Sequence, residues 1–212
     1  MKRLQVLEAI KRTKVIAIIR AERDWPISEV VTALYWGGIR AIEITMNTPE
    51  ALKHIQDSTE LSLPDLQIGA GTVLDGETAS AAIRAGASFM LTPTLEPEVL
   101  RVCNRYGILG IPGVFTPTEV VQAYELGALV VKVFPAGVIG PGYIRDLKGP
   151  LPHVELIPVG GVNLQNAGSF VQAGAFAIGV GGQLVDKSAI AKGELGYLTA
   201  KAREFLRAVS EM

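Results

Sequence analysis

Helical-looking stretches that end in glycine and pass at once into a β-branched or apolar run recur along this sequence. The junctions are Gly38-Ile39, Gly86-Ala87, Gly107-Ile108, Gly127-Ala128 and Gly174-Ala175. The residue just past a helix end often takes φ > 0, which costs glycine little. Two further junctions use proline, Ser62-Leu63-Pro64-Asp65 and Gly149-Pro150-Leu151-Pro152, and proline also stops a helix. The runs that follow read as strands: Ala41–Thr45, Gln67–Gly71, 88–92, 108–111, 129–134, 154–159 and 175–180, with Val15–Ile19 ahead of them all. They are continuously apolar rather than alternating, as parallel strands covered on both faces must be. Helix starts agree with this reading. Thr116-Pro117-Thr118-Glu119 is a capping box with proline at the first helical position, and Thr48-Pro49-Glu50 reads as a similar start.

Eight strand runs, each followed by a helix or by a loop and a helix, predict an α/β chain of the (β/α)8 TIM-barrel class. An open doubly wound sheet alternates the same elements, but the count and even spacing favour the barrel. The last helix falls over 198–209. An extra N-terminal helix, with Leu4, Leu7 and Ile10 on one side, is expected to close the barrel floor. No linker or low-complexity segment interrupts the chain, so residues 1–212 read as a single domain.

Composition narrows the function. Hydrophobic residues make up 49% of the chain, enough for a sizeable core. The 20 Lys and Arg against 21 Asp and Glu leave no basic excess for a nucleic acid partner. No apolar run approaches the roughly 20 residues of a membrane helix, and charges interrupt the N-terminus too often for a signal peptide. The single cysteine, Cys103, fits a reducing compartment and reads as a small core residue. A cytoplasmic protein without a membrane partner is expected.

Barrels place their chemistry at the C-terminal ends of the strands, which directs attention to ionisable residues there. Arg20 stands just past the first run, Glu43 within the second, Lys132 within Val130-Val131-Lys132-Val133-Phe134, and Glu155 near the start of the seventh. Glu155 reads as a structural floor residue. A buried ammonium must be paired or have its pKa lowered, and a neutral lysine is the nucleophile that Schiff-base chemistry requires. Glu43 beside it suits a proton relay; a purely structural Lys–Glu pair is the competing reading. Val159-Gly160-Gly161-Val162 and Gly179-Val180-Gly181-Gly182 end the last two runs, where barrels bind phosphate through backbone N–H groups. His54 and His153, the only histidines, have no metal-binding spacing, so no metal site is expected. Trp25 and Trp36 flank the helix after the first run and read as packing residues.

These residues carry a resemblance. Ala17-Ile18-Ile19-Arg20, Ile42-Glu43-Ile44-Thr45, Gly69-Ala70-Gly71-Thr72-Val73, Ile111-Pro112-Gly113-Val114, Lys132-Val133-Phe134-Pro135 and Pro158-Val159-Gly160-Gly161-Val162 together resemble the family of 2-keto-3-deoxy-6-phosphogluconate and 4-hydroxy-2-oxoglutarate aldolases, nearly end to end. The resemblance implies a homotrimer of barrels that takes a small-molecule keto acid and needs no cofactor. It places the imine-forming lysine at Lys132 and the proton-transfer glutamate at Glu43. It puts Thr72, Pro93 and Phe134 in the pyruvate pocket, and Gly160, Gly161, Gly181 and Gly182 at the phosphate end.

Two positions depart from the common pattern. Asn47 stands where many members carry the arginine that meets the substrate carboxylate, and Gly182 where many carry serine. Arg20 is the expected replacement for the arginine. Asn47 and Gly140-Pro141-Gly142-Tyr143-Ile144 are also similar to the 2-keto-3-deoxy-6-phosphogalactonate aldolases, the main alternative. A thiamin-phosphate synthase type of barrel shares the glycine clusters but needs acidic metal ligands, and a non-catalytic phosphosugar-binding barrel needs no buried lysine.

Overall fold

The structure, a computed structural model, describes residues 2–22 and 24–210. The strands are β1 (Val15–Ile19), β2 (Ala41–Thr45), β3 (Gln67–Gly71), β4 (Phe89–Leu91), β5 (Leu109–Ile111), β6 (Gly113–Val114), β7 (Val131–Val133), β8 (Leu156–Pro158) and β9 (Ile178–Val180). The helices are α1 (Lys2–Thr13), α2 (Ile27–Trp36), α3 (Ala51–Glu60), α4 (Gly76–Arg84), α5 (Pro97–Tyr106), α6 (Pro117–Glu125), α7 (Gly140–Lys148), α8 (Ala167–Gln172), α9 (Lys187–Ala191) and α10 (Leu195–Ser210). It is an α/β fold whose parallel sheet forms a half-barrel. The larger sheet runs β5-β4-β3-β2-β1-β9 and the smaller β6-β7-β8, with every pair parallel.

The glycine punctuation acts as the sequence suggests. Gly38, Gly86, Gly107, Gly127 and Gly174 all have φ between 67° and 105°, conformations that strain any residue with a Cβ. Thr116 and Glu119 form the reciprocal capping box at the start of α6. The Thr48 start is corrected. Helix α3 begins only at Ala51, after Glu50 in the left-handed region. The Thr48 hydroxyl is turned inward, where it accepts from the Ala21 N–H at 3.2 Å and meets the Thr45 hydroxyl at 3.2 Å.

Several strands are shorter than their apolar runs. The Tyr124 hydroxyl donates to the Leu129 carbonyl at 2.9 Å and accepts from the Glu155 N–H at 2.8 Å. A side chain thus serves these backbone groups before the β7–β8 ladder begins. Strand β5 stops at Ile111, and a short further strand that the sequence reading does not include, β6, follows Pro112, which has no N–H to donate. Beyond it the Gly113 N–H is taken by the Thr92 hydroxyl at 3.1 Å. The Lys132 N–H bonds the Pro112 carbonyl at 2.9 Å, at the start of the β6–β7 pairing, and a bridge joins Val159, just past β8, to Gly179 of β9, linking the two sheets.

Strand residues are buried on both faces, which is why the runs do not alternate. In β1, Val15, Ala17 and Ile19 join the outer core beneath the helices, whereas Ile16 and Ile18 join an inner cluster. That inner cluster also holds Phe89, Leu91, Leu109, Ile111, Ile157 and Val159, and two residues of α1, Val6 and Ile10. The buried face of α1 is therefore Val6 and Ile10, with Leu7 partly buried; Leu4 is 48% exposed, contrary to the sequence reading. Trp25 is buried, but Trp36 is 65% exposed, its ring edge-on to Tyr35 at 5.4 Å. Trp36 ends its helix at the surface, so it is not a core residue. Cys103 is fully buried, and burial pushes its thiol up to about 12.

Candidate active site

In a parallel sheet, residues in register share a face. Glu43 is in register with Ile18 of the inner cluster, and Lys132 with Ile157 of the same cluster. Both charged side chains therefore point inward, from strands in different sheets. Glu43 is 1% exposed and Lys132 4%. Room for them is made by missing side chains. A Cβ on Gly71 would run into the Glu43 carboxyl, and one on Gly113 would run into the Pro93 backbone, which packs there.

A structural ion pair would bring these charges together. Instead, no Glu43 oxygen comes within 4.0 Å of Lys132 Nζ among the described residues, and Glu43 Oε2 has no hydrogen-bond partner. Lys132 Nζ lies 4.8 Å from the centroid of the Phe134 ring, two residues along the same run. Burial pushes the Lys132 ammonium below the usual lysine range; Glu43 partly opposes this and the Arg20 cation adds to it. Burial pushes the Glu43 carboxyl up, partly offset by Lys132 and then Arg20. A lysine driven toward its neutral form near a carboxyl driven toward its protonated form has the properties that a nucleophile and a proton carrier require.

Lys132 and Glu43 do not themselves line the neighbouring cleft of about 350 Å³, which Lys132 reaches through the Phe134 ring. Ile18, Arg20, Phe134, Gly160, Gly181 and Gly182 line it, with Trp25, Glu22 and Lys187 among its other walls. Arg20 Nη2 lies 3.4 Å from the Thr72 hydroxyl, so Thr72, in the left-handed region at φ 55°, stands at the Arg20 side. Gly160, at φ 85°, has the Phe134 ring 3.1 Å from where a Cβ would be. Around Gly182 a Cβ would meet nothing within 4 Å.

The structure separates some residues that the sequence grouped. Gly161 does not line the cleft; it packs on the backbone of Gly137, leaving no room for a Cβ. Asn47 is exposed in the turn after β2 and lies outside the cleft walls. Glu155 lies just ahead of β8 and 4.0 Å from Lys148, a structural contact away from the cleft. Tyr143 in α7 donates to the Phe115 carbonyl at 2.5 Å and stacks on the Phe115 ring. Among the described residues no three of His, Cys, Asp and Glu gather as a metal site would require. Sequence reasoning missed Lys187, whose ammonium pairs with the Glu22 carboxylate at the cleft. It also missed Thr92 and the room that Gly71 makes for Glu43; the glycines of the third run, Gly69 and Gly71, beside the strand that carries the carboxylate, were the available signal for the latter.

Comparison with known proteins gives these features their context. A 2-dehydro-3-deoxy-phosphogluconate aldolase of Treponema pallidum is 34% identical over 210 residues, covering 99% of this chain and 100% of that protein. The 2-dehydro-3-deoxy-6-phosphogalactonate aldolase of Escherichia coli is 36% identical over 170 residues, 80% of this chain and 83% of that one. The crystal structure of KDPG aldolase from Legionella pneumophila, with pyruvate captured as a covalent carbinolamine intermediate, superposes with a TM-score of 0.84 at 27% identity. It covers 93% of this chain and 96% of that one. The family model described as KDPG and KHG aldolase matches residues 6–200. A match of that length, with full-length relatives above 30% identity, means that the chain belongs to the KDPG and KHG aldolase family.

Proposed function

We propose that this protein is a Schiff-base aldolase that splits 2-keto-3-deoxy-6-phosphogluconate into pyruvate and glyceraldehyde 3-phosphate, with 4-hydroxy-2-oxoglutarate as a second substrate. The observation that carries the proposal is a buried lysine and a buried carboxyl on one inward face that do not pair with each other. Lys132, as the neutral amine, attacks the C2 ketone to give a carbinolamine. Glu43, acting through water, supplies the proton with which hydroxide leaves as water, giving the protonated imine. The C4 hydroxyl then gives up its proton to Glu43, the C3–C4 bond breaks, and its electron pair moves into the iminium, forming the enamine. Glu43 returns a proton to C3, and water releases pyruvate from Lys132. The iminium is the electron sink, so these steps call on no other group.

The substrate carboxylate is held by Arg20, whose planar fork suits it, with Asn47 offering at most a neutral hydrogen bond from the adjacent turn. Thr72, Pro93 and Phe134 bound the pyruvate end. Gly160, Gly181 and Gly182 receive the phosphate on backbone N–H groups, and Gly161 supports that turn. Residues 1–212 act as one domain, with the two sheets as arcs of a closed (β/α)8 barrel and α1 across its floor. The placement of β5 and β6 in different sheets on either side of Pro112, the Val159–Gly179 bridge and the α1 residues in the inner cluster support that closure. The family resemblance supports a cytoplasmic homotrimer.

A second reading has a specific observation behind it. Asn47 stands in place of the common arginine, and the phosphogalactonate aldolase of E. coli is 36% identical. Comparing kcat/KM for the two C4 epimers decides between them. The chemistry itself is tested by borohydride reduction with pyruvate, read by peptide mass spectrometry. The adduct is expected on Lys132, and Lys132→Ala abolishes it. An adduct on another lysine, or none, overturns the proposal.

A further inference from the structure

The cleft that holds the proposed reaction carries a cation at each of two places. Arg20 stands beside Thr72 at the reacting end. Lys187 shares the cleft walls with Gly181 and Gly182. Among the lining residues Glu22 is the one acid, and it is on Glu22 that the Lys187 ammonium rests. Asp24 lines an adjoining hollow that Glu22 and Lys187 also border. Both ends of the Glu22–Lys187 pair are more than half exposed, and exposed ion pairs are weak in water.

The glycine end needs such a cation. Gly182 has open space around it and no hydroxyl to offer, so backbone N–H groups there provide dipoles but no counter-charge. A phosphate group carries close to two negative charges and bonds ammonium groups more strongly than neutral donors do. We infer that Lys187 is a specificity-determining residue that exchanges Glu22 for the distal phosphate of the substrate. The ammonium has an anionic partner before and after the exchange, and the Glu22 carboxylate that it leaves, 69% exposed, stays hydrated. The cleft then reads a keto acid by an anion at each end: its carboxylate at Arg20 and its phosphate at Lys187. The carboxylate of 4-hydroxy-2-oxoglutarate, at C5, falls short of the position that a phosphate on C6 reaches.

This inference rests on the aldolase reading, and steady-state kinetics of the intact protein with both substrates test it. Lys187→Met is expected to raise KM for the phosphorylated keto-deoxy acid by roughly ten- to a hundredfold, the usual worth of one hydrogen bond to a charged group. The expected change in kcat is small, and the KM ratio between the phosphorylated substrate and 4-hydroxy-2-oxoglutarate should rise by the same factor. Lys187→Arg should restore most of the loss. Glu22→Gln, which releases the ammonium, should lower KM for the phosphorylated substrate. An unchanged KM in Lys187→Met, or equal rises for both substrates, overturns the inference while leaving the aldolase reading intact. Failure of the wild-type protein to form a borohydride-trapped pyruvate adduct overturns both.

Discussion

Lys132 and Glu43 lie on strands whose neighbours are apolar, whereas Gly160, Gly181 and Gly182 bring bare backbone to a cleft that Phe134 and the Glu22–Lys187 pair also line. The first region works by withholding water from charge, and its two groups are pushed toward neutrality by burial. The second leaves space and backbone open. At the buried pair, the floor of the site, a change of one atom alters the chemistry while leaving the shape. At the glycine rim, on the proposed reading, an added side chain takes space meant for the substrate.

The largest expected effect tests the floor. Glu43→Gln keeps the shape but cannot carry a proton, so kcat should fall by roughly 10²–10⁴, the usual worth of general acid–base catalysis. Exchange of pyruvate methyl protons in deuterated water should slow in parallel; unchanged exchange would move the proton carrier elsewhere. A smaller effect is expected at the rim. Gly182→Asp adds a carboxylate where nothing obstructs it and sets like charge against the phosphate. KM for the phosphorylated substrate should rise on the order of a hundredfold, far more than for 4-hydroxy-2-oxoglutarate. Equal losses on both substrates would erase the distinction between the two regions.

The smallest effect concerns stability and sharpens the comparison from the other side. Lys132→Met removes an ammonium that the fold desolvates, so it should abolish cleavage yet raise the melting temperature by about 2–4 °C, or about 1 kcal/mol. The sign with pH follows from the depressed pKa. Below the unfolded value of 10.5 the unfolded chain holds a proton that the buried lysine holds less readily. The cost therefore grows as pH falls from 10.5 toward the folded pKa, and the gain in Lys132→Met grows with it. A gain that increased with rising pH would contradict a desolvated lysine.

The sequence disclosed the floor more readily than the rim. A lysine or glutamate inside an apolar strand run is conspicuous, because burial makes such residues rare. The glycine-ended helices were legible for a similar reason: their positive φ restricts what can stand there. The short strand β6 beyond Pro112 was not foreseen, because the apolar run ends at Ile111 and the Thr92 hydroxyl that takes the Gly113 N–H comes from a distant part of the chain. Thr48 resembled a helix cap because nothing local shows that its hydroxyl faces Thr45 and Ala21. Lys187 looks like any lysine at a helix start; only the fold brings it to Gly181 and Gly182. Trp36 shows the converse: an aromatic residue at a helix end reads as core until its face is known.

The pairing of β1 has a consequence for how the chain is made. Its partners are β2 and β9, so one edge of the first strand waits for residue 178 to leave the ribosome. Until then an unpaired row of backbone groups stands open to other chains. Val6 and Ile10 wait as well, because Ile157, Val159 and Ala177 of their cluster are made far later in synthesis. Long-range contacts of this kind slow folding. The α1–β1 segment is thus made well before the partners that secure it, and the interval between those moments leaves the nascent chain open to aggregation.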